Sequence, residues 1–218
     1  MKKSTLKIID DLGERFPKLL NNKKEIMAAV ESLKEMYFSN NKLLICGNGG
    51  SASDSLHIVG ELGKNFVLSR TINENFQNNL SKMFPQEAIY FIKNLQEGIP
   101  AISLVNEVSL ITAYSNDNNS YLVFAQQVYV QGKENDILFA ISTSGNSKNV
   151  INAIKIAKAK GLKVISLTGK NGGEVKQLSD ININIEEKET FKIQEYHLPI
   201  YHNICLAIEN EIFGGEEE

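Results

Sequence analysis

Apolar positions along the chain follow two rhythms. In residues 1–40 they recur at helical spacing, as Leu6, Ile9, Leu12 and Phe16 and then as Ile26, Val30, Leu33 and Tyr37. Pro17 stands between the two sets and divides or bends the stretch. From residue 42 onward short apolar runs take over: 42–46 (KLLIC), 100–105 (PAISLV), 136–141 (DILFAI), 163–167 (KVISL) and 181–185 (ININI). These runs have strand length and alternate with turns and longer helical patterns. That order predicts βαβ units and a parallel sheet covered by helices on both faces. The expected fold class is α/β, a three-layer α/β/α sandwich on a five-stranded parallel sheet of the flavodoxin or Rossmann kind. ININI alternates strictly and reads as a partly exposed edge strand. Residues 193–213 return to helical spacing, and the terminal GGEEE reads as a frayed acidic tail.

Residues 67–98 fit this alternation poorly. Residues 74–84 and 86–95 form one or two helical patterns flanking Pro85, so the segment reads as an insertion between the first sheet helix and the second strand. The Asn-rich patches at 73–79 and 116–119 read as loops. At 218 residues the chain suits one domain with added elements, residues 1–218, rather than two.

Composition narrows the partners. Hydrophobic content is 42%, charged content 22% and formal net charge −3, so no broad basic field points to nucleic acid. An anionic ligand would need a local site of backbone N–H groups, hydroxyls and a cation or two. The N-terminus, MKKSTLKIIDDLGERF, lacks the apolar core of a secretory signal, and no run of about 18 apolar residues occurs. The expectation is a cytoplasmic protein without a membrane span. Cys46 and Cys205 lie in apolar patterns and read as buried free thiols of a reducing compartment, with no metal-type spacing.

Three features carry chemistry. Gly47-Asn48-Gly49-Gly50-Ser51 follows a strand and opens a helix. Its glycines allow a sharp turn and a close ligand, and Ser51 is placed to cap the helix. Taken alone, it is equally an ordinary strand-to-helix turn. The loop lacks the lysine of a nucleotide-triphosphate loop and the third glycine of a dinucleotide loop, and no acidic residue ends the second run at Leu104-Val105, so no nucleotide cofactor is expected. Ser142-Thr143-Ser144-Gly145-Asn146-Ser147 again joins a strand to a helix. One hydroxyl caps a helix; four are more than capping needs, and they suit a phosphate monoester at a helix N-terminus.

The third feature is histidine placement. His57, His197 and His202 are the only histidines. His57 and Glu61 are four apart on the helix leaving the first glycine loop, and so share a face. Gln194, Leu198 and His202 step by four along the last helix, with His197 offset. A histidine on an apolar helix is more often a satisfied core residue. Here a carboxylate and an imidazole facing each other would form a general acid/base pair. His57, Glu61, Gln194 and His202 would equally well ligate a divalent metal such as Zn²⁺, and spacing leaves both readings open.

Taken in order, these motifs resemble the sugar isomerase (SIS) domain family, and within it the phosphoheptose isomerases. The resemblance spans roughly residues 40–66 and 99–213. It rests on CGNGGS with His57 and Glu61 downstream, on Asn116-Asp117, on ISTSGNS, on SLTGKNGG, and on IQE followed by His202. ISTSGNS alone marks only the wider family; the ordered set with His57, Glu61, Gln194 and His202 is more specific.

The resemblance implies an aldose–ketose isomerase that converts sedoheptulose 7-phosphate to D-glycero-D-manno-heptose 7-phosphate through an enediol. Glu61 would move the carbon-bound proton and His202 would serve the sugar oxygens. Ser142, Thr143, Ser144 and Ser147 would hold the phosphate. Asn48, Gly49, Gly50, Ser51, Asn116, Asp117 and Gln194 would hold the sugar. His57, Glu61, Gln194 and His202 match zinc ligands found in part of the family, and members resemble homotetramers with sites at subunit interfaces.

Three departures stand out. Where the family reads E-L-x-G-R-F, this chain has Glu61-Leu62-Gly63-Lys64-Asn65-Phe66, so Lys64 or Arg70 is expected to supply the missing cation. Phe191 replaces an acidic residue, and Pro199 is expected to kink the last helix. The alternatives are an isomerase of another sugar phosphate and a non-catalytic SIS protein that binds a sugar phosphate or a protein partner.

Overall fold

The structure, a computed structural model, describes residues 1–215; the last three residues of the expected acidic tail, 216–218, lie outside the described residues. The N-terminal rhythm becomes α1 (Lys3–Arg15), a 3-10 turn (Pro17–Asn22) opened by Pro17, and α2 (Lys23–Phe38). All five apolar runs become strands: β1 (Leu43–Cys46), β2 (Ala101–Ser103), β3 (Ile137–Ser142), β4 (Lys163–Gly169) and β5 (Ile181–Ile185). They pair in parallel in the order β2-β1-β3-β4-β5. β2 is shorter than the run that predicted it and sits on one edge; β5 is the other edge, partly exposed as its alternation foretold.

Side chains of successive strand residues point to opposite faces, and the sheet sorts its apolar residues accordingly. Leu43, Ile45, Ile137, Phe139, Ile141, Ile165, Leu167, Ile183 and Ile185 join one core with α1, α2, α3 (Gly50–Leu62) and α10 (Thr190–Phe213). Leu44, Cys46, Leu138, Ala140 and Val164 join a second core with α7 (Val123–Gln131), α8 (Lys148–Ala159) and α9 (Gly173–Leu178). Both sheet faces are covered, which gives the three layers. Cys46 and Cys205 are buried free thiols, each pushed up to about 12 by burial.

The 67–98 insertion is two short helices, α4 (Glu74–Met83) and α5 (Ala88–Asn94). The Asn-rich patch read as a loop is therefore helical: Asn73 accepts from the Phe76 N–H at 2.9 Å and starts α4. Asn116 and Asp117, also read as loop, form the last turn of α6 (Val108–Asp117). Asn118 and Asn119 lie in the turn that follows, as expected. α10 is assigned as one continuous helix through Pro199, which lies buried inside it.

The stem of the insertion is pinned to α10 by one buried carboxylate. Glu209 accepts from the N–H groups of Phe66, Val67 and Leu68 at 2.8, 2.9 and 3.1 Å, and from Arg70 Nε at 2.7 Å. Arg70 also donates to the Leu62 carbonyl at 2.8 Å, and the two side chains are 0% and 1% exposed. Burial alone would favour the neutral acid, but the three N–H groups and the guanidinium outweigh it and hold Glu209 below the usual carboxylate range. This network predicts that Glu209→Ala lowers stability by about 3–5 kcal/mol, because it leaves a buried guanidinium unpaired. Since Glu209 is held low, its contribution is present above the ordinary Glu value of about 4.3 and lost as pH falls further. Urea titrations between pH 7 and pH 3 should therefore show a shallower acid loss in the variant than in the parent.

Candidate active site

The crevice for ligands in an open α/β sheet lies where strand order reverses, here between β1 and β3. The two sequence-predicted loops leave these neighbouring strands. In the first, Gly49 takes φ +57°, a conformation that favours glycine. Ser51 does not cap α3 as expected; it lies within the first turn of the helix and is buried, with Gly49 at the cap position. Asn48 and Asn149 exchange two amide hydrogen bonds across the crevice, each 2.9 Å. Asn149 was not among the predicted residues, since nothing in its local sequence sets it apart from other helix-start asparagines.

In the hydroxyl-rich loop at 142–147 the serine hydroxyls bond within the loop itself. Ser147 precedes α8 but makes no side-chain capping bond; its Oγ lies 3.1 Å from Ser142 Oγ. Ser144 Oγ accepts from the Asn146 N–H at 3.2 Å. The loop is locked from behind, because Gly145 N–H donates to the Ser142 carbonyl at 3.1 Å and the Val175 N–H donates to the Gly145 carbonyl at 2.9 Å. Gly145 has φ +65°, and a Cβ there would lie 1.9 Å from the Gly172 carbonyl oxygen. Thr143 and Ser144 remain partly open at the start of α8, a setting that favours a dianion.

The acid/base candidates form a second cluster where α3 and α10 run side by side. His57 Nε2 lies 3.3 Å from Glu61 Oε1, and Lys64 Nζ lies 3.0 Å from Glu61 Oε2. The His57 and His202 rings meet edge to face with centroids 5.0 Å apart, and Phe66 packs at 5.7 Å from His202. Burial, together with the neighbouring His57, lowers the pKa of His202, so its imidazole is neutral near pH 7. Its Nε2 is buried without a hydrogen-bond partner.

Other predicted residues lie elsewhere. Gln194 packs against Gly50, where an added Cβ would come within 2.4 Å of its Nε2. It is therefore beside the glycine loop and two turns of α10 away from His202. Asn116 donates to Asp117 at 2.9 Å, and both are exposed at the end of α6. Of the two cations, Lys64 is exposed beside Glu61, whereas Arg70 is buried against Glu209 and takes no part in the site. His197 is a core residue, pushed down to about 4 by burial, with Nε2 3.5 Å from the Thr168 carbonyl.

Among the described residues no group of three or more His, Cys, Asp or Glu side chains is placed to hold a metal ion. The donor types still suit zinc: two imidazoles and a carboxylate adjoin, and one imidazole nitrogen is buried with no partner.

Comparison with known proteins shows the family. Residues 124–206 match the model of the SIS domain. A phosphoheptose isomerase of Aliarcobacter butzleri is 39% identical over 184 residues, which cover 84% of this chain and 82% of that protein. The chain belongs to the phosphoheptose isomerase family. A Helicobacter pylori member is 37% identical over 93% of this chain and 96% of its own length. The solved phosphoheptose isomerase of Neisseria gonorrhoeae superposes with a TM-score of 0.70 at 28% identity, covering 95% of this chain and 94% of that one.

Within this family member, the interlock behind the hydroxyl loop makes Gly145 a sensitive position. Gly145→Ala is expected to displace the loop from the 172–173 turn at a cost of about 1–3 kcal/mol. The same change should weaken binding of sugar phosphates by tenfold or more, which calorimetric titration of parent and variant would read.

Proposed function

We infer that this chain is an aldose–ketose isomerase that converts sedoheptulose 7-phosphate to D-glycero-D-manno-heptose 7-phosphate through an enediol. The observation that carries the reading is the meeting of Glu61 and His202 on one flank of α3 and α10, in a phosphoheptose isomerase family member. Such a reaction needs a base for the carbon-bound proton and a second group that serves the two oxygens. Glu61 is the base; Lys64 and His57 hold its two oxygens in place. His202, a neutral imidazole with a free nitrogen, gives and takes the proton on the sugar oxygens.

Ser142, Thr143, Ser144 and Ser147 hold the phosphate at the start of α8. Asn48, the backbone of Gly49 and Gly50, Gln194, Asn116 and Asp117 bind the sugar hydroxyls. From Gly50 to Glu61 is eleven residues of α3, or about 16 Å along its axis. That span separates the phosphate anchor from the base within one chain. It supports an assembly, a homotetramer in this reading, in which one copy brings Glu61 and His202 to the phosphate loop of another. The same assembly would bring the Gln194 of a neighbouring copy toward His57, Glu61 and His202, and these four would hold a zinc ion. When bound, zinc would supply Lewis-acid polarisation of the sugar oxygens. No helix among the described residues is long and apolar enough to cross a membrane, and two free buried thiols support a cytoplasmic location.

Purified protein is expected to interconvert the two heptose phosphates, assayed with and without added Zn²⁺. Glu61→Gln should lower kcat by about 10²–10⁴-fold while leaving sugar-phosphate affinity within a few-fold of the parent. Absence of conversion under both conditions, or a fully active Glu61→Gln protein, refutes the assignment.

A further inference from the structure

Backbone N–H groups, hydroxyls and a cation together hold a phosphate at a helix start. The 142–147 loop supplies the first two, and its cation is unaccounted for. Lys64 Nζ lies 3.0 Å from Glu61 Oε2, and Arg70 is buried against Glu209. Lys148, which the sequence reading did not single out, follows Ser147 directly and is the first residue of α8. Its ammonium lies over the Tyr121 ring, 5.1 Å from the centroid. No carboxylate among the described residues pairs with it.

Both members of this pair are fixed beside the crevice. Asn149, the neighbour of Lys148, bridges the crevice to Asn48. Tyr121 is tied to the same helix, because Asn152 Nδ2 donates to the Tyr121 carbonyl at 3.0 Å. The Tyr121 N–H donates to Asn119 Oδ1 at 2.9 Å, two residues past Asp117. Lys148 thus reaches from the hydroxyl loop to the segment that follows Asn116 and Asp117.

The position is unfavourable in the free protein. A helix start carries partial positive charge, so a cation in the first turn is repelled. A ring contact at an exposed site is weak compensation. A phosphate dianion at 142–147 reverses the balance, since it attracts the helix start and the ammonium together, and a charge-assisted hydrogen bond outweighs the ring contact. Lys148 is exposed, so its side chain has room to turn from ring to loop.

We propose that Lys148 is a phosphate-binding residue of this site, resting on Tyr121 in the free protein and turning to the phosphate group when a sugar phosphate binds. The proposal rests on the 142–147 loop being the phosphate site, and not on the isomerisation.

Calorimetric titration of the full chain with sedoheptulose 7-phosphate, and separately with inorganic phosphate, tests it. Lys148→Met is expected to raise Kd for the sugar phosphate about tenfold. Lys148→Arg, which keeps the charge, should stay within about threefold of the parent. Affinity should fall more steeply with added salt in the parent than in Lys148→Met. Lys160→Met is the control: Lys160 lies over Tyr129 at 5.1 Å at the far end of α8, and its loss should change Kd by less than about twofold. Lys148→Gln takes the place of Lys148→Met if that variant does not fold. An unchanged Kd in Lys148→Met, or an equal loss in Lys148→Arg or Lys160→Met, overturns the proposal. Weakened binding in Lys148→Met, from a parent that does not convert the heptose phosphate, upholds it and removes the isomerase reading. Turnover by the parent with unchanged affinity in Lys148→Met does the reverse. A parent that binds neither ligand removes both.

Discussion

The geometry of the site depends on how the C-terminal end of α3 is tied to α10, and the Glu209 carboxylate makes that tie. A buried charge is costly to leave without partners, so it recruits donors until it is satisfied. Here it gathers three consecutive backbone N–H groups and one guanidinium. The chain leaving α3 has to wrap around this point. Because α3 carries His57 and Glu61, with Lys64 just beyond its end, and α10 carries Tyr201 and His202, the same anchor sets the distance between the two sets. The α4–α5 excursion can vary without disturbing them, since it begins and ends on this fixed stem. An antiparallel bridge between Thr71 and Gln96 and the Ile99-to-Leu62 hydrogen bond close the stem behind it.

The second organising constraint is the strand order. Reversal between β1 and β3 opens a crevice above both loops, and the sheet fixes their mutual position through the register Leu43↔Ile137 to Cys46↔Ala140. The loop donors and the titratable groups are thereby placed in two separate parts of the chain. The sheet end supplies backbone and hydroxyl donors. The helix pair supplies titratable groups in a partly buried setting.

Much of this layout was legible in the chain itself. Five apolar runs gave all five strands because buried parallel strands leave a local signature, and ININI announced an edge by its alternation. The hydroxyl excess at 142–147 was visible because a helix needs only one cap. Other features were hidden because they depend on contacts far apart in sequence. Arg70 looked like a free cation until Glu209, 139 residues away, was seen beside it. The contact of the Tyr201 hydroxyl with His57 Nδ1 spans 144 residues and has no local signature. The Asn-rich patches were legible only in part, with 118–119 in a turn but Asn73 opening α4, because asparagine starts helices as readily as it makes loops. Pro199 does not end α10, which runs from Thr190 to Phe213 around it.

The paired amides of Asn48 and Asn149 carry a consequence for selectivity. Each side chain already has a donor and an acceptor satisfied by the other. Each amide also keeps a second hydrogen and a second lone pair. Asn48, exposed at the mouth of the crevice, is therefore held in one orientation and still presents a donor and an acceptor. The pair acts as a strut: it fixes the direction from which a polar group can be met without using up the amide that meets it.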